Sequence, residues 1–182
     1  MHVESMPELN RLVASGKTVK YLFFWGRTAQ RDGGVDVSCL SQWWPAKFTL
    51  DGQAFASAEQ YMMWRKARLF GDEPAAERIG TTAHPRRIKE LGRQVRGFDE
   101  DVWRAHRFEI VVDGNRAKFS SDARLRDFLA GTRKRVLVEA SPVDRVWGNG
   151  FDRDHPFAAQ PAKWRGLNLL GFALMRVRRE LG

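Results

Sequence analysis

The sequence predicts a single α+β domain in which several helices surround a small β-sheet. Helix signals recur along most of the 182 residues, whereas runs of β-branched and aromatic residues are few and short. The 43% hydrophobic content is enough to form a substantial core without disulfides, and the lone cysteine, Cys39, cannot form one within the chain. We expect residues 1–18 to be a peripheral segment and residues 19–182 to form the domain.

The first half is predicted to contain a strand, a hairpin and a capped helix. Residues 19–25 are β-branched and aromatic and end at Gly26, which indicates a strand followed by a polar loop over 27–36. Residues 47–55 alternate around an Asp-Gly pair, which is typical of a tight hairpin. Ser57 followed by Gln60 has the form of a capping box and predicts a helix from residue 58 onward.

The second half is predicted to be mostly helical, with a short strand at 136–139 before Pro142 and a Gly/Asp-rich loop from 147 to 166. The predicted helices cover residues 75–79, 85–91, 100–113 with a continuation through 119, 123–130 and 167–181. An additional short helix is expected near residues 9–13.

Charge favours an anionic partner. Lysine and arginine outnumber aspartate and glutamate by 31 to 22, which gives a net charge of +9. The simpler explanation for Arg176, Arg178 and Arg179 is a solvated face of the last helix. Because the chain lacks a basic tail and a groove-reading motif, an enzyme with an anionic substrate is favoured over a DNA-binding module.

No apolar run approaches the roughly 20 residues that a membrane helix needs. The first residues also lack the apolar core of a signal peptide. Together with the single cysteine, these features predict a cytoplasmic protein with no membrane partner.

A carboxylate and an amine share one stripe of the helix after Ser57. Glu59, Met62, Met63 and Lys66 have the spacing of a single helix face, and Glu59 and Lys66 stand about 10 Å apart along the axis. That separation is long for a direct ion pair, so the pair could flank a ligand. A structural pair in a satisfied core is the alternative.

Tryptophans beside turn residues are candidates for a binding pocket. Trp25 precedes Gly26 and Trp147 precedes Gly148, while Trp43 lies just before a Trp-Pro pair. Aromatic rings on loops can stack on a planar base, and glycine lets the backbone approach a ligand. Core packing is an equal alternative for Trp43 and Trp147, and it is favoured for Trp64 and Trp103 inside helices.

Two further polar segments follow the 136–139 strand. Asp144 and Arg145 lie in the turn after that strand, where a local surface ion pair is the simpler explanation. Asn168 begins the final helix, where it could cap the helix or lie near an anion bound to exposed backbone N–H groups.

Several chemistries lack their sequence signatures. The four histidines and Cys39 do not have metal-ligand spacing, and neither a P-loop nor a GxGxxG fingerprint is present. We therefore expect neither a metal nor a cofactor. Acid/base chemistry by carboxylates, with help from a lysine, beside an aromatic pocket is the remaining prediction.

Ordered blocks along nearly the whole chain resemble the NADAR, or YbiA-like, family, whose characterised members are N-glycosidases. The blocks are residues 24–26, 40–48, 51–63, 66–70, 117–119, 139–148 and 166–171. Gln42 stands where asparagine is common in the family, and this difference bears on substrate preference.

The resemblance implies cleavage of a bond between ribose C1 and a nitrogen. One implied substrate class is the ribosylamino-uracil phosphates of riboflavin biosynthesis, from which ribose 5-phosphate is released. The runner-up is ADP-ribose attached to guanine in nucleic acid. A third reading, from a different class, is a non-catalytic domain that binds ADP-ribose or related nucleotides.

The resemblance also suggests roles for the residues singled out above. Glu59 would stabilise positive charge at C1 or activate water, and Lys66 would donate a proton or form a Schiff base with ring-opened ribose. Asp144 would orient the sugar hydroxyls or share the acid/base work. The expected substrate-binding residues are Trp25 and Gly26 at the sugar, Trp43 and Trp147 at the base, Asn168 near a phosphate, and Gln42 and Gly148.

Overall fold

The computed structural model describes residues 3–26 and 34–182, so the predicted loop at 27–36 lies mostly outside the described residues. The described chain is helix-rich with two small sheets, which confirms the predicted α+β class. It divides into two compact units. Unit 1 contains Met1–Ser41 and Arg126–Gly182, and unit 2 contains Gln42–Leu125. The predicted boundary after residue 18 stays a prediction.

Unit 1 is built around a pair of parallel strands. Its elements are helix α1 (Met6–Ala14), strand β1 (Tyr21–Phe24), a 3-10 helix (Val37–Leu40), strand β4 (Val136–Glu139), a second 3-10 helix (Pro161–Lys163) and helix α7 (Leu169–Leu181). Helix α6 (Ala123–Gly131) starts in unit 2 and ends in unit 1.

Strands β1 and β4 pair in parallel, with Tyr21 opposite Val136 and Phe24 opposite Glu139. Three residues of β4 are buried and the fourth, Glu139, is half-buried, because α7 packs against this strand. The packing is close at Gly171, where a Cβ atom would overlap the carbonyl oxygen of Leu137. The carboxyl ends of both strands therefore lie side by side, next to the start of α7.

Unit 2 combines a hairpin with four helices. Its elements are β2 (Phe48–Leu50), β3 (Gln53–Phe55), α2 (Ala58–Leu69), α3 (Glu73–Gly80), α4 (Pro85–Arg93) and α5 (Glu100–Ser121). Helix α5 continues without a break past residue 113, as the continuation through 119 predicted.

The hairpin turn has the backbone that its Asp-Gly pair predicts. Asp51 and Gly52 both have positive φ angles, 53° and 74°, and β2 and β3 pair antiparallel on either side. Two consecutive residues with positive φ match the twist of the flanking strands. The hairpin delivers the chain directly to the first turn of α2.

The N-terminus of α2 is capped by Ser57, whose Oγ accepts a hydrogen bond from the Gln60 amide at 3.2 Å. In a reciprocal capping box the Gln60 side chain would accept a hydrogen bond from the amide of Ser57 itself. Here Gln60 Oε1 accepts instead from the Ala56 amide at 2.7 Å. The Gln60 side-chain amide also donates to the Ile79 carbonyl at 2.9 Å. Gln60 thus fixes both the start of α2 and the end of α3.

An apolar cluster joins helices α2, α3 and α4 in unit 2. Its buried members are Ala67, Ala75, Ala76, Ile79, Ile88, Leu91 and Val95. In the part of the chain that the structure describes, no helix is long and apolar enough to span a membrane.

Candidate functional site

The residues predicted to act on a ligand fall into two groups. Gln42, Trp43, Glu59 and Lys66 lie in unit 2, whereas the other six lie in unit 1. Each group is held by its own network of contacts.

Glu59 lies in the first turn of α2, and the structure brings it next to Gln42. The Glu59 amide donates to the Gln42 carbonyl at 2.9 Å, and the residue is only 7% exposed. Gln42 is buried as well, and its Oε1 accepts from Asn115 Nδ2 at 2.7 Å. A buried carboxylate at a helix N-terminus is favoured by the helix dipole and shielded from bulk water.

Lys66 lies two turns further along α2. Its Nζ donates to the Gly92 carbonyl at 2.9 Å and lies 4.2 Å from the centre of the Phe98 ring and 5.7 Å from Trp103. Burial lowers the pKa of the Lys66 amine, against an opposing effect of Glu100. The described rings beside the amine are those of Phe98 and Trp103.

Trp43 is half-buried and packs against the apolar cluster of unit 2 together with Met63, Trp64 and Phe70. Trp64 contacts Phe55 at 5.3 Å between ring centres, and Trp103 is buried. These positions agree with the packing expected for Trp64 and Trp103. Stacking of Trp43 on a base stays a prediction.

Asp144 organises the loop after β4. Its Oδ1 accepts hydrogen bonds from the amides of Val146 at 2.8 Å and Trp147 at 2.7 Å, and its own amide donates to Ser141 Oγ at 3.1 Å. Within the described residues the side chain of Asp144 does not pair with Arg145, so the alternative of a local ion pair is wrong. The structure brings Asp144 and Trp147 together through the backbone.

Gly148 and Asn168 meet at the same place. The Asn168 amide donates to the Gly148 carbonyl at 3.0 Å, and a Cβ on Gly148 would lie 2.8 Å from the Glu139 carbonyl oxygen. This loop therefore closes against β4 only because residue 148 is glycine.

Asn168 is fully buried and holds the end of β4. Its Oδ1 accepts from the Glu139 amide at 3.0 Å, and its Nδ2 donates to the Leu137 carbonyl at 3.0 Å. It occupies the N-cap position of α7 but makes no side-chain cap bond, so the expectation of a capping side chain is wrong. Both polar atoms serve β4 instead, and the predicted neighbouring phosphate stays a prediction.

Trp25 follows β1 and is 56% exposed, and Gly26 after it has a φ angle of 82°. The ring lines a cavity of about 310 Å³ with Phe24 of β1 and Ala140, which follows β4. A large exposed aromatic ring beside a cavity offers a surface on which a planar group can stack. Trp147 is half-buried and is not among the described residues that line this cavity.

The same cavity contains charged residues that the sequence reasoning missed. Asp152, Arg153 and Asp154 also line it. The available signal was the Gly/Asp-rich composition of the loop after Gly150, but composition does not indicate which side chains turn toward β1.

Lys118 is a second residue that the sequence reasoning did not single out. It lies on α5 and is 0% exposed, and its Nζ is 4.9 Å from the centre of the Phe119 ring. Asn115, which bonds to Gln42, precedes it by three residues and therefore shares its helix face. Burying an amine is costly unless it is well accommodated, so Lys118 is a second candidate amine in unit 2.

The described chain contains neither a disulfide nor a cluster of metal-ligating side chains. Cys39 is buried and free. Across residues 3–26 and 34–182, no three His, Cys, Asp or Glu side chains cluster as metal ligands.

The sequence of this chain matches a known protein family. The NADAR domain profile matches residues 23–182, which is most of the chain. The chain belongs to the NADAR family. This confirms the resemblance seen in the ordered sequence blocks.

Curated members of the NADAR family similar to this chain include a viral and a bacterial protein. N-glycosidase R617 of Acanthamoeba polyphaga mimivirus is 43% identical over 169 residues, covering 90% of this chain and 98% of that protein. N-glycosidase YbiA of Escherichia coli strain K12 is 30% identical over 138 residues, covering 76% of each. The NMR structure of E. coli YbiA superposes with a TM-score of 0.69 at 24% identity, over 90% of this chain and 87% of that one, so the two share a fold.

A plant relative is named for riboflavin biosynthesis. The riboflavin biosynthesis protein PYRR, chloroplastic, of Zea mays is 32% identical over 118 residues, which cover 60% of this chain and 17% of that protein. The similarity therefore concerns a small part of the maize protein.

Proposed function

We propose that this NADAR-family chain is an N-glycosidase that hydrolyses the ribose C1–N bond of ribosylamino-uracil or ribosylamino-pyrimidine 5′-phosphates, releasing ribose 5-phosphate. The observation that carries the proposal is the burial of Glu59 in the first turn of α2, in a chain whose full-length relative is named an N-glycosidase. The name of the maize relative supports riboflavin intermediates as the substrate class.

The reaction requires stabilisation of positive charge at C1. Cleavage of an N-riboside passes through an oxocarbenium-like state. A nearby carboxylate either stabilises the positive charge of this state or activates the water molecule that attacks C1. The Glu59 carboxylate is shielded from bulk water, where its electrostatic effect is stronger than at the surface. We assign this role to Glu59.

Departure of the base requires a proton. Lys66 is proposed either as the proton donor or as an amine that attacks ring-opened ribose, and burial lowers its pKa toward the range that both roles need. Asp144 is proposed to orient sugar hydroxyls through the loop that it organises.

Recognition is proposed to use the aromatic residues and Gln42. We propose that the exposed ring of Trp25 contacts the sugar and that Trp147 stacks on the base. Gln42, whose carbonyl accepts a hydrogen bond from the Glu59 amide, is proposed to influence substrate preference. The cytoplasm is the proposed location.

Substitution of Glu59 tests the proposal. We expect Glu59→Gln to lower kcat on a ribosylamino-uracil phosphate by about a thousandfold, because the isosteric amide cannot stabilise the positive charge. The matched control is Glu90→Gln on α4, whose side chain is 48% exposed. Ribose 5-phosphate release is measured by mass spectrometry, and thermal unfolding verifies that both variants fold. Near wild-type turnover by folded Glu59→Gln would refute the assigned role.

Removal of ADP-ribose from guanine in nucleic acid is the second candidate, favoured by the net charge of +9. Incubation of the metal-stripped protein with both substrates separates the candidates by product. Ribose 5-phosphate alone supports the first, and free ADP-ribose alone supports the second. Release of neither would favour the non-catalytic binding domain.

A further inference from the structure

A second cavity in unit 1, of about 540 Å³, lies at the opposite end of the strand pair from Trp25. Val19 and Lys20, just before β1, and Val136, the first residue of β4, contribute to its lining. Because each strand has four residues, the two ends are about 10 Å apart. The cavity is therefore distinct from the one beside Trp25.

Cationic side chains dominate this cavity and come from three separate segments. The connection before β1, the turn before β4 and the last turn of α7 supply two each: Lys17 and Lys20, Arg133 and Lys134, Arg178 and Arg179. Among the described residues of the lining, the one carboxylate is that of Glu4, which already pairs with Arg179 and, at 3.2 Å, with Arg176. The cavity carries a large excess of positive charge.

Helix capping accounts for Arg135, which is next to Lys134 in the chain but does not line the cavity. Arg135 donates to the carbonyls of Gly131 and Thr132 at the end of α6, where the helix dipole favours cations. Capping does not explain Lys17, Lys20, Arg133 and Lys134, whose side chains make no hydrogen bond or ion pair with any other described residue.

Arg178 shows the charge imbalance most clearly. It was expected on a solvated face, yet it is half-buried and donates to Thr132 Oγ1 at 2.8 Å and the Arg135 carbonyl at 2.9 Å. No carboxylate of the described chain pairs with it. Burial and repulsion from Arg135 lower the pKa of Arg178 to about 10. A bound anion would supply the negative charge that the protein itself does not place there.

A cavity of about 580 Å³ in unit 2 provides a contrast. It also contains arginines, but each has an acid beside it: Arg65 lies 3.8 Å from Asp51 and Arg116 lies 2.6 Å from Asp113. That cavity is balanced by its own charges.

We propose that the basic cavity between the amino ends of β1 and β4 and the last turn of α7 binds phosphate groups, carried either by a free polyphosphorylated molecule or by a nucleic-acid strand. Lysine and arginine from three segments surround a space of suitable size, and phosphate oxygens accept hydrogen bonds from both. The site is independent of the proposed glycosidase activity.

Binding by charge-reversed protein tests this site. The variant is Lys20→Glu with Lys134→Glu, and the matched control is Lys89→Glu with Lys163→Glu, which changes net charge equally at exposed lysines elsewhere. Pyrophosphate is titrated by calorimetry, and a short fluorescein-labelled oligothymidylate is titrated by anisotropy, with circular dichroism to verify folding. We expect the first variant to bind at least one probe about tenfold or more weakly than wild type, and the control to stay within about twofold.

The two probes distinguish the source of the phosphate. A loss confined to pyrophosphate supports a free phosphorylated ligand, and a loss confined to the oligonucleotide supports a strand. Absence of binding by wild type to either probe, or equal weakening by both variants, would overturn the proposal. At saturating substrate, kcat for ribose 5-phosphate release is expected to be the same in the Lys20 and Lys134 variant as in the charge-matched Lys89 and Lys163 control, and the binding outcome does not depend on whether the glycosidase proposal holds.

Discussion

At the scale of single residues, the polar side chains that are buried or half-buried differ in the groups that they contact. Asn168 places both polar atoms on the backbone of β4, and Asp144 places one oxygen on two amides of its own loop. Such bonds satisfy backbone groups that would otherwise lack a partner. Glu59 and Lys118 are ionisable side chains buried in the interior of unit 2, where perturbed acid and base groups are often functional.

The two amines of unit 2 can be separated by trapping. We expect borohydride added during turnover to link ribose to Lys66, because burial lowers the pKa of this amine and leaves more of it unprotonated at neutral pH. The adduct should disappear in Lys66→Met and persist in Lys89→Met, an exposed lysine on α4. Peptide mapping by mass spectrometry identifies the modified residue. An adduct on Lys118 would assign the Schiff-base role to this residue of α5. If the wild-type protein forms no adduct, proton donation remains as the role of Lys66.

Sequence reasoning was effective where a local pattern determines the environment. The spacing of Glu59 and Met62 predicted a shared helix face, since residues three apart lie on one side of a helix, and both residues are buried. The role of Asn168 was not predictable in this way, because its partners at 137 and 139 are brought near only by the packing of α7 on β4. Lys118 was missed because its burial depends on contacts made by α5.

At the scale of elements, glycine contacts fix how α7 meets β4. Gly171 lies in the first turn of α7, directly against Leu137. The hairpin and the capped α2 were predictable because Asp51, Gly52 and Ser57 act on their immediate neighbours. The division into two units was not, since it depends on which distant segments pair.

Substituting Gly171 should separate this contact from ordinary helix propensity. We expect Gly171→Ala to lower the free energy of unfolding by about 1–3 kcal/mol, because the added methyl group overlaps the Leu137 carbonyl. Gly131→Ala in α6 is the control, since its Cβ would meet nothing within 4 Å. Urea denaturation measures both. Equal stability of the two variants would contradict the close contact.

Helix α3 should give unit 2 a measurable dependence on acid. The Asp72 side chain is 2% exposed, and hydrogen bonds from the Arg96 guanidinium lower its pKa to about 2. The carboxyl pKa is about 3.9 in an unfolded chain, so this contribution to stability is present above about pH 4 and is lost as the pH falls toward 2.

We therefore expect Asp72→Asn to be less stable than wild type at neutral pH and to lose less stability between pH 4 and 2. Thermal unfolding across this range gives the difference. Asp101→Asn, at a side chain that is 89% exposed, is the control and should follow wild type. A slope for Asp72→Asn that matches wild type would show that the Arg96 pair does not control acid sensitivity.

At the scale of the whole molecule, the net charge of +9 is the dominant long-range feature. A positive field attracts phosphorylated substrates and raises the rate of encounter, and dissolved salt screens it. The net positive charge could be read from the composition. The concentration of cationic side chains around one cavity of unit 1 could not be predicted from it.

Added salt should therefore weaken catalysis on an anionic substrate. We expect kcat/KM for the ribosylamino-uracil phosphate to fall about tenfold between low salt and 0.5 M potassium chloride, while kcat changes little. The dephosphorylated riboside is the matched control, because a neutral molecule is not steered. A similar fall for both compounds would point to a direct effect of salt on the protein.

The pairing of β1 with β4 has a consequence for biosynthesis. Residues 21–24 leave the ribosome long before residues 136–139, and the whole of unit 2 is made in the interval. Unit 2 consists of one continuous stretch and can fold as it emerges, whereas β1 must wait for its partner strand. Strand β1 is therefore synthesised before all of unit 2 but reaches its native pairing only after unit 2 has been made.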